Sequence, residues 1–294
     1  MIKENDLLEK TLELAENGYE EAYSFLRKIY EKNPACYGPQ TLYFLACLAG
    51  GSGLPEEAMG WLQKAIRDHG WWYRPEVLED DDLAELRENA AFISLKEESD
   101  SRYHEAAVGS KAVFSWGKKT ADHILLAVHG NTQNGKTARE DWQPFLKEHP
   151  LWQLETIQSA EPDGYGTYRW SYDMESYVPV ATAIAGVQQE AYQEIVCGGF
   201  SAGCDMLLRA VTFSAARCDA LILQSPWIPV LHNHAEEVTA AIREKQIKLI
   251  IRCGSEDEDC LPMAEQLKEA ADAAGVPATL TIQKGCRHQF PTQK

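Results

Sequence analysis

Three short segments of the sequence carry residue types that can perform nucleophilic and acid–base chemistry. The first, GFSAG at 199–203, follows an apolar run and precedes a helical pattern. Glycines on both sides of a serine permit a sharp turn between a strand and a helix, and such a turn exposes the hydroxyl at the helix start. This context favours Ser201 as a nucleophile over a simple turn residue.

The other two segments supply a carboxylate and an imidazole. The segment RCGSEDED at 252–259 follows another apolar run, and GCRHQF at 285–290 follows the last one. In a serine nucleophile system, a histidine accepts the hydroxyl proton and a carboxylate orients that histidine. His288 is the candidate base. Asp257 is the first candidate for the carboxylate and Asp259 the second, because the loop holds several acidic side chains.

A pattern of alternating elements positions these segments. From about residue 100, short apolar runs predict strands at 124–128, 152–157, 194–197, 220–223, 248–253 and 279–282. Amphipathic stretches between them predict helices at 138–147, 174–193, 202–216, 234–245 and 262–274, and a run at 111–116 suits an antiparallel edge strand. Such alternation predicts an α/β domain whose parallel sheet is covered on both faces. Functional residues of these sheets lie at the carboxyl ends of the strands, where all three segments fall.

The first hundred residues show helical patterns only. The run YEEAYSFLRKIY at 19–30 aligns with PEEAMGWLQKAI at 55–66, an offset of 36 residues with five identical positions. This spacing resembles the tetratricopeptide repeat, whose helix pairs recur about every 34 residues. We therefore expect a helical, tetratricopeptide-like domain at 1–97 and an α/β domain at 98–294.

Charge and composition exclude several classes of function. The 294 residues hold 28 basic and 45 acidic side chains, a net charge of −17. Nucleic-acid binding needs a basic stripe, which is missing here. No apolar stretch is long enough for a membrane span or a signal peptide. The eight scattered cysteines suit reduced thiols, so we expect a cytoplasmic protein.

The order serine, aspartate, histidine along the chain is that of α/β-hydrolases. Residues 100–294 resemble that family, and within it the phospholipase/carboxylesterase-like and dienelactone-hydrolase-like esterases. The run LLAVHGN at 125–131 resembles the family strand followed by His-Gly, and GFSAG resembles the nucleophile turn. The segment GSED at 254–257 resembles the acid loop, and the segment around His288 that of the catalytic histidine. Ala202 departs from the glutamine that often follows the serine in that group.

The resemblance implies roles for further residues. The backbone N–H groups of Asn131 and Ala202 would form the oxyanion hole, which binds the negative oxygen of a tetrahedral intermediate. Candidate substrate-pocket residues lie at or near strand ends: His129, Trp170, Phe200 and Trp227. The chemistry calls for no metal and no organic cofactor.

These features predict a serine hydrolase that cleaves a small carboxylic ester through an acyl-enzyme. One alternative is a serine peptidase of the prolyl-oligopeptidase type. Another is a non-enzymatic interaction protein in which the tetratricopeptide-like helices bind a protein partner and the hydrolase fold is a scaffold. The expected partner in the enzyme reading is a small ester, with a protein partner on the N-terminal helices as an addition.

Overall fold

The structure is a computed structural model that describes residues 4–109, 112–117, 121–173 and 175–290. Its described residues form two compact units. The first consists of 4–109 and 162–165, and the second of the rest. The boundary expected between residues 97 and 98 falls inside a long helix, so the helical unit continues to Gly109.

The first unit is built from α-helices, with short 3-10 helices at Pro34–Cys36, Pro75–Glu79 and Asp81–Leu86 in the connections. The α-helices are α1 (Glu4–Ala15), α2 (Tyr19–Lys32), α3 (Pro39–Gly51), α4 (Pro55–Gln63) and α5 (Ala90–Gly109). Proline is the first residue of α3 and α4, where its missing N–H costs nothing. Helix α4 is shorter than the helical run at 55–66, because the chain passes into a wider π-helical turn at Lys64–Asp68.

The repeated positions of α2 and α4 lie in the core of this unit. Ala22 and Ala58 are fully buried, and so are Leu26 and Leu62, 36 residues apart. The indole of Trp61 donates a hydrogen bond of 2.9 Å to the hydroxyl of Tyr23, which joins the two helices. The internal repeat therefore marks corresponding buried faces, and the kinship with tetratricopeptide repeats stays a prediction.

The second unit is built on a seven-stranded sheet. Its strands are β1 (Ala112–Gly117), β2 (His123–Val128), β3 (Trp152–Gln158), β6 (Glu194–Phe200), β7 (Ala220–Gln224), β8 (Lys248–Gly254) and β9 (Ala278–Gln283). The order across the sheet is β1-β3-β2-β6-β7-β8-β9, and only β1 runs antiparallel to its neighbour. Two further short strands are β4 (Glu161–Gly164) and β5 (Thr167–Arg169).

Helices cover both faces of this sheet, as the alternation predicts. One face packs against α6 (Gly135–Glu148), whose Trp142 and Phe145 meet alternate residues of the central strands. The other face carries α7 (Val178–Val187), α8 (Ala202–Phe213), α9 (Leu231–Glu244) and α10 (Cys260–Ala273). Crossovers between parallel strands are right-handed, so the direction of each connection across the sheet decides which face its helix covers. The connection from β2 to β3 runs opposite to those that lead from β3 to β6 and on to β9, so α6 lies on the opposite face from α7, α8, α9 and α10.

The order in which successive strands are placed across the sheet changes direction at β2, between β3 and β6. The chain leaves β2 towards β3 on one side, whereas β6 lies on the other side of β2. In an open parallel sheet, loops diverge at such a reversal and leave a crevice at the carboxyl ends of the two strands. The loops that begin at His129 and Ser201 therefore border the same crevice.

The eight cysteines are free thiols, and six of them are buried. Among the described helices, none combines the length and the apolar character needed to cross a bilayer.

Candidate active site

Ser201 lies on a strained turn between β6 and α8. Its backbone has φ 50° and ψ −124°, a region that non-glycine residues rarely adopt. A backbone hydrogen bond to strand β7 holds the turn, because the N–H of Ser201 donates to the carbonyl of Gln224 at 3.0 Å. A Cβ on Gly203 would lie 2.5 Å from the backbone oxygen of His129, so only glycine lets α8 approach β2 this closely. The turn thus presents the Ser201 hydroxyl at the start of a helix.

His288 lies between Ser201 and Asp257. Its Nε2 is 3.0 Å from Oγ of Ser201, and its Nδ1 is 3.0 Å from Oδ2 of Asp257. The imidazole is partly exposed, with 42% of its side chain open to solvent, whereas the Asp257 side chain is 1% exposed. This chain of contacts is the geometry needed to move a proton from the hydroxyl to the imidazole.

The surroundings of Asp257 keep its carboxylate charged. Burial raises its pKa, but the hydrogen bond and charge of His288 and the backbone N–H of Cys260 outweigh burial and leave the pKa below its usual value. Asp259, the second candidate, is exposed at the residue before α10. The described contacts of His288 therefore join it to Asp257 and not to Asp259.

Two hydrogen bonds join the acid loop to the histidine segment. The N–H of Glu256 donates to the carbonyl of Cys286 at 2.8 Å, and that of Gly285 donates to Oγ of Ser255 at 2.9 Å. A Cβ on Gly254 would lie 2.1 Å from the Cys286 oxygen, which explains the glycine. Because the two segments approach so closely, the acid and the base keep a fixed separation.

The loop after β2 lies directly against the nucleophile. A Cβ on Gly130 would lie 3.1 Å from Cβ of Ser201. The side chain of Asn131 is anchored, since its Oδ1 accepts from the backbone N–H of Trp170 at 2.8 Å. Within the described residues, the backbone N–H of Asn131 has no acceptor, and that of Ala202 begins α8, where first-turn N–H groups lack helical partners.

His129 is a buried support of this loop. It is fully buried; its Nδ1 is 2.6 Å from the carbonyl oxygen of Gly130, and its Nε2 accepts from the backbone N–H of Ser159 at 3.0 Å. An imidazole nitrogen that accepts carries no proton, so the ring is neutral with its proton on Nδ1. Burial lowers the pKa of His129 to about 4, which keeps it neutral at pH 7.

A cavity of about 370 Å³ opens beside the Ser201 hydroxyl. Its walls are Asn131, Tyr172, Ser201, Trp227, Asp259, Cys260 and His288. Of the four residues expected in the substrate pocket, Trp227 lies in this wall. The structure places the other three, His129, Trp170 and Phe200, behind this wall, where their side chains are buried.

His129, Trp170 and Phe200 support the loop after β2 and the His288 side chain from the buried side of the cavity wall. Trp170 is 2% exposed, and its indole donates to the backbone oxygen of His129 at 2.8 Å. Phe200 is 7% exposed and packs its ring 5.3 Å from that of His288 and 5.8 Å from that of Phe290. These residues, with His129, hold the loop and the base in place without facing the cavity.

One supporting residue has no counterpart in the sequence analysis. Asp205 on α8 is fully buried, and its Oδ2 accepts from Nε of Arg209 at 2.5 Å. Its Oδ1 accepts from the backbone N–H of Val230 at 2.8 Å, which anchors the loop that carries Trp227. Burial raises the pKa of Asp205, and the Arg209 guanidinium opposes that rise. The spacing of Asp205 and Arg209 by four residues on a helix was the signal that could have revealed the pair.

Among the residues that the structure describes, two groups of side chains bring potential metal ligands together. In one, ligand atoms of Asp257, Cys260 and His288 lie within 4.8 Å of one another, and in the other those of Cys47, Asp80 and Asp82 do. The first group uses the same atoms that join the acid to the base. A cation bound there would displace the proton between Asp257 and His288, so it would oppose the acid–base arrangement.

Comparison with known proteins supports this architecture. The model of the "A/B hydrolase-like, N-terminal domain" family matches residues 3–107. An uncharacterized protein from Bacillus cereus ATCC 10987 is 24% identical with a TM-score of 0.53, over 99% of this chain and 94% of that one. The structure of esterase PE8 is 16% identical with a TM-score of 0.51, over 62% of this chain and 92% of that one. No curated protein matches the chain.

The two similar structures cover different shares of the chain. The esterase PE8 similarity covers a share of the chain close to the size of the second unit, whereas the Bacillus cereus protein is similar over almost the whole length. At these identities, the similarity shows the fold. The chain therefore has the α/β-hydrolase fold, a mostly parallel sheet between helices, and its residues 3–107 are similar to the A/B hydrolase-like N-terminal domain.

Proposed function

We propose that the protein is a serine hydrolase that cleaves small carboxylic esters through an acyl-enzyme. The observation that carries the proposal is the continuous contact of Ser201, His288 and Asp257 at 3.0 Å and 3.0 Å, on a strained turn beside an open cavity. One structural neighbour is the esterase PE8, which supports this class of reaction.

In this mechanism, Ser201 attacks the acyl carbon of the ester while Nε2 of His288 takes the hydroxyl proton. Asp257 holds the proton on Nδ1 and stabilises the imidazolium that forms. The carbonyl oxygen becomes an oxyanion, and the backbone N–H groups of Asn131 and Ala202 bind it. Each such donor contributes about 3 kcal/mol to the transition state. His288 then protonates the leaving alcohol, which leaves an acyl group on Ser201. In the second half of the reaction, water attacks the acyl carbon while His288 takes its proton. His288 returns that proton to Oγ of Ser201 as the bond to the acyl group breaks and the acid is released.

The test is turnover of p-nitrophenyl acetate and p-nitrophenyl butyrate by the wild type and by Ser201→Ala. We expect the variant to lose at least about 10⁴-fold in kcat, because removal of a serine nucleophile is among the largest losses in such systems. Ser214→Ala is the matched control, since that serine lies just past the far end of α8 and its hydroxyl bonds to the nearby backbone of Ala210 and Ala216. A fluorophosphonate probe should label the wild type and the control but not Ser201→Ala.

Two outcomes would overturn the proposal. Equal turnover by wild type and Ser201→Ala, with no fluorophosphonate labelling, would exclude Ser201 as a nucleophile and favour the interaction-protein alternative. Ser201-dependent cleavage of aminoacyl p-nitroanilides with no cleavage of the esters would favour the peptidase alternative.

A further inference from the structure

The cavity beside Ser201 has one unbalanced charge in its wall. Asp259 is an exposed residue of the wall, and none of the described residues forms an ion pair with its carboxylate. The other carboxylate at the site, Asp257, is buried behind His288 and bonded to it. Lysine and arginine are missing from the cavity wall as far as the structure describes it. The described cavity wall thus holds an acidic residue, Asp259, and no lysine or arginine to neutralise it.

Two aromatic side chains stand in the same wall. Trp227 is half-buried, and its backbone N–H donates to the carbonyl of Ser201 at 3.3 Å, which keeps it next to the nucleophile. Tyr172 is 39% exposed, and its hydroxyl lies 3.4 Å from Nδ2 of Asn131. Indole and phenol rings attract cations through their negative faces. A carboxylate combined with two such rings is a set of groups suited to a cation.

The charge of the whole chain acts in the same direction. Its net charge is −17, and residues 98–294 carry 26 acidic against 18 basic side chains. A negative field raises the local concentration of cations and repels anions, and salt weakens both effects. A substrate with a carboxylate or phosphate near the ester would meet unfavourable charge both at a distance and in the cavity.

From these observations we infer that the hydrolase acts on acyl esters that carry a cationic group, such as an ammonium, which binds between Asp259 and the rings of Trp227 and Tyr172. This inference rests on the proposed esterase function and specifies its substrate class. The cavity volume of about 370 Å³ suits a small substrate of this kind.

Matched pairs of esters test the inference, because each pair differs only in a charged nitrogen or a neutral carbon. For a cation in the alcohol, the pair is acetylcholine and 3,3-dimethylbutyl acetate. For a cation in the acyl group, it is the p-nitrophenyl esters of 4-(trimethylammonio)butyrate and 5,5-dimethylhexanoate. The readout is the ratio of kcat/KM for the cationic member to that for the neutral one.

We expect Asp259→Asn to lower this ratio about fivefold for at least one pair, in line with about 1 kcal/mol for a partly solvated charge contact. Trp227→Leu should lower it about two- to fivefold through loss of the ring face. Glu258→Gln is the matched control, because Glu258 is an exposed neighbour outside the cavity wall and should leave the ratio unchanged. Added salt should lower the wild-type ratio and change that of Asp259→Asn less.

Three results separate the possible outcomes. An unchanged ratio in Asp259→Asn for both pairs would overturn the cation site, while Ser201-dependent cleavage of the neutral esters would leave the proposed function standing. An equal fall in Glu258→Gln would assign the effect to the general acidic surface and also overturn the site. Absence of Ser201-dependent cleavage for every ester would instead refute the proposed function itself.

Discussion

The buried imidazole of His129 predicts that stability falls when the protein is acidified. In the folded protein the ring is neutral, since Nε2 accepts a backbone hydrogen bond, and burial lowers its pKa to about 4. In the unfolded chain, histidine takes up a proton near pH 6.5. Between these two values the unfolded state binds more protons, so the stabilising contribution is complete above about pH 6.5 and is lost as the pH falls towards 4.

The size of this effect follows from the pKa difference. Each pKa unit corresponds to about 1.4 kcal/mol, so the neutral ring accounts for about 3 kcal/mol at pH 7, of which about 2 kcal/mol is lost by pH 4.5. Urea unfolding at pH 7 and pH 4.5 measures the loss, and NMR titration of the ring measures the pKa directly. His129→Gln should show a smaller loss over this range by about 2 kcal/mol.

His232→Gln is the control for this experiment, because it removes an exposed histidine of the same unit by the same substitution. The reasoning is refuted if the His129 ring titrates near pH 6.5. It is also refuted if His129→Gln retains the full dependence of the wild type on pH.

Further predictions follow from other parts of the structure. Asp257→Asn should lower kcat on p-nitrophenyl acetate about 10⁴-fold by favouring the wrong histidine tautomer; a loss below tenfold would exclude this carboxylate as the acid. Asp205→Ala should cost about 3–5 kcal/mol in urea unfolding, because it leaves a buried guanidinium unpaired; a neutral effect would contradict that. Gly203→Ala should destabilise the protein through a Cβ clash with backbone, whereas Gly186→Ala, with open space in α7, should stabilise it by about 0.5–1 kcal/mol; equal effects would refute the clash. Leu62→Ala should cost about 2–5 kcal/mol, and a cost below 1 kcal/mol would contradict its place in the helical core.

The apolar runs of the sequence predicted the centres of the parallel strands but not their ends. The run 194–197 extends in the structure to Phe200, because Gly198 and Gly199 continue the ladder with Ala127 and Val128. Two glycines have no side chain to show periodicity, so only the neighbouring strand reveals their strand character. The strands β4 and β5 have no counterpart among the predicted strands for a similar reason, since both are short, polar and without apolar alternation.

The sequence could indicate which edge of the sheet holds the site but not which way each side chain points. Trp170 and Trp227 both suited a pocket wall, yet Trp170 directs its indole N–H to a backbone oxygen beneath the loop. Asp257 and Asp259 are two residues apart in a loop without periodicity, so only the position of His288 distinguishes them. The spacing of Asp205 and Arg209 indicates their ion pair, but the bond from Asp205 to the backbone of Val230 spans 25 residues and no local pattern predicts it.

The position of β9 at the edge of the sheet has a consequence for how the protein loses activity. This strand pairs only with β8 among the described strands, and its residues are half-exposed or exposed. His288 follows it by five residues, so the general base depends on one of the more weakly held strands of the sheet. Edge segments with few buried contacts open locally at a lower free energy than the whole domain. Heat or mild denaturant should therefore abolish catalysis reversibly before the core unfolds, so that enzymatic activity reports the docking of the final strand and not the integrity of the domain.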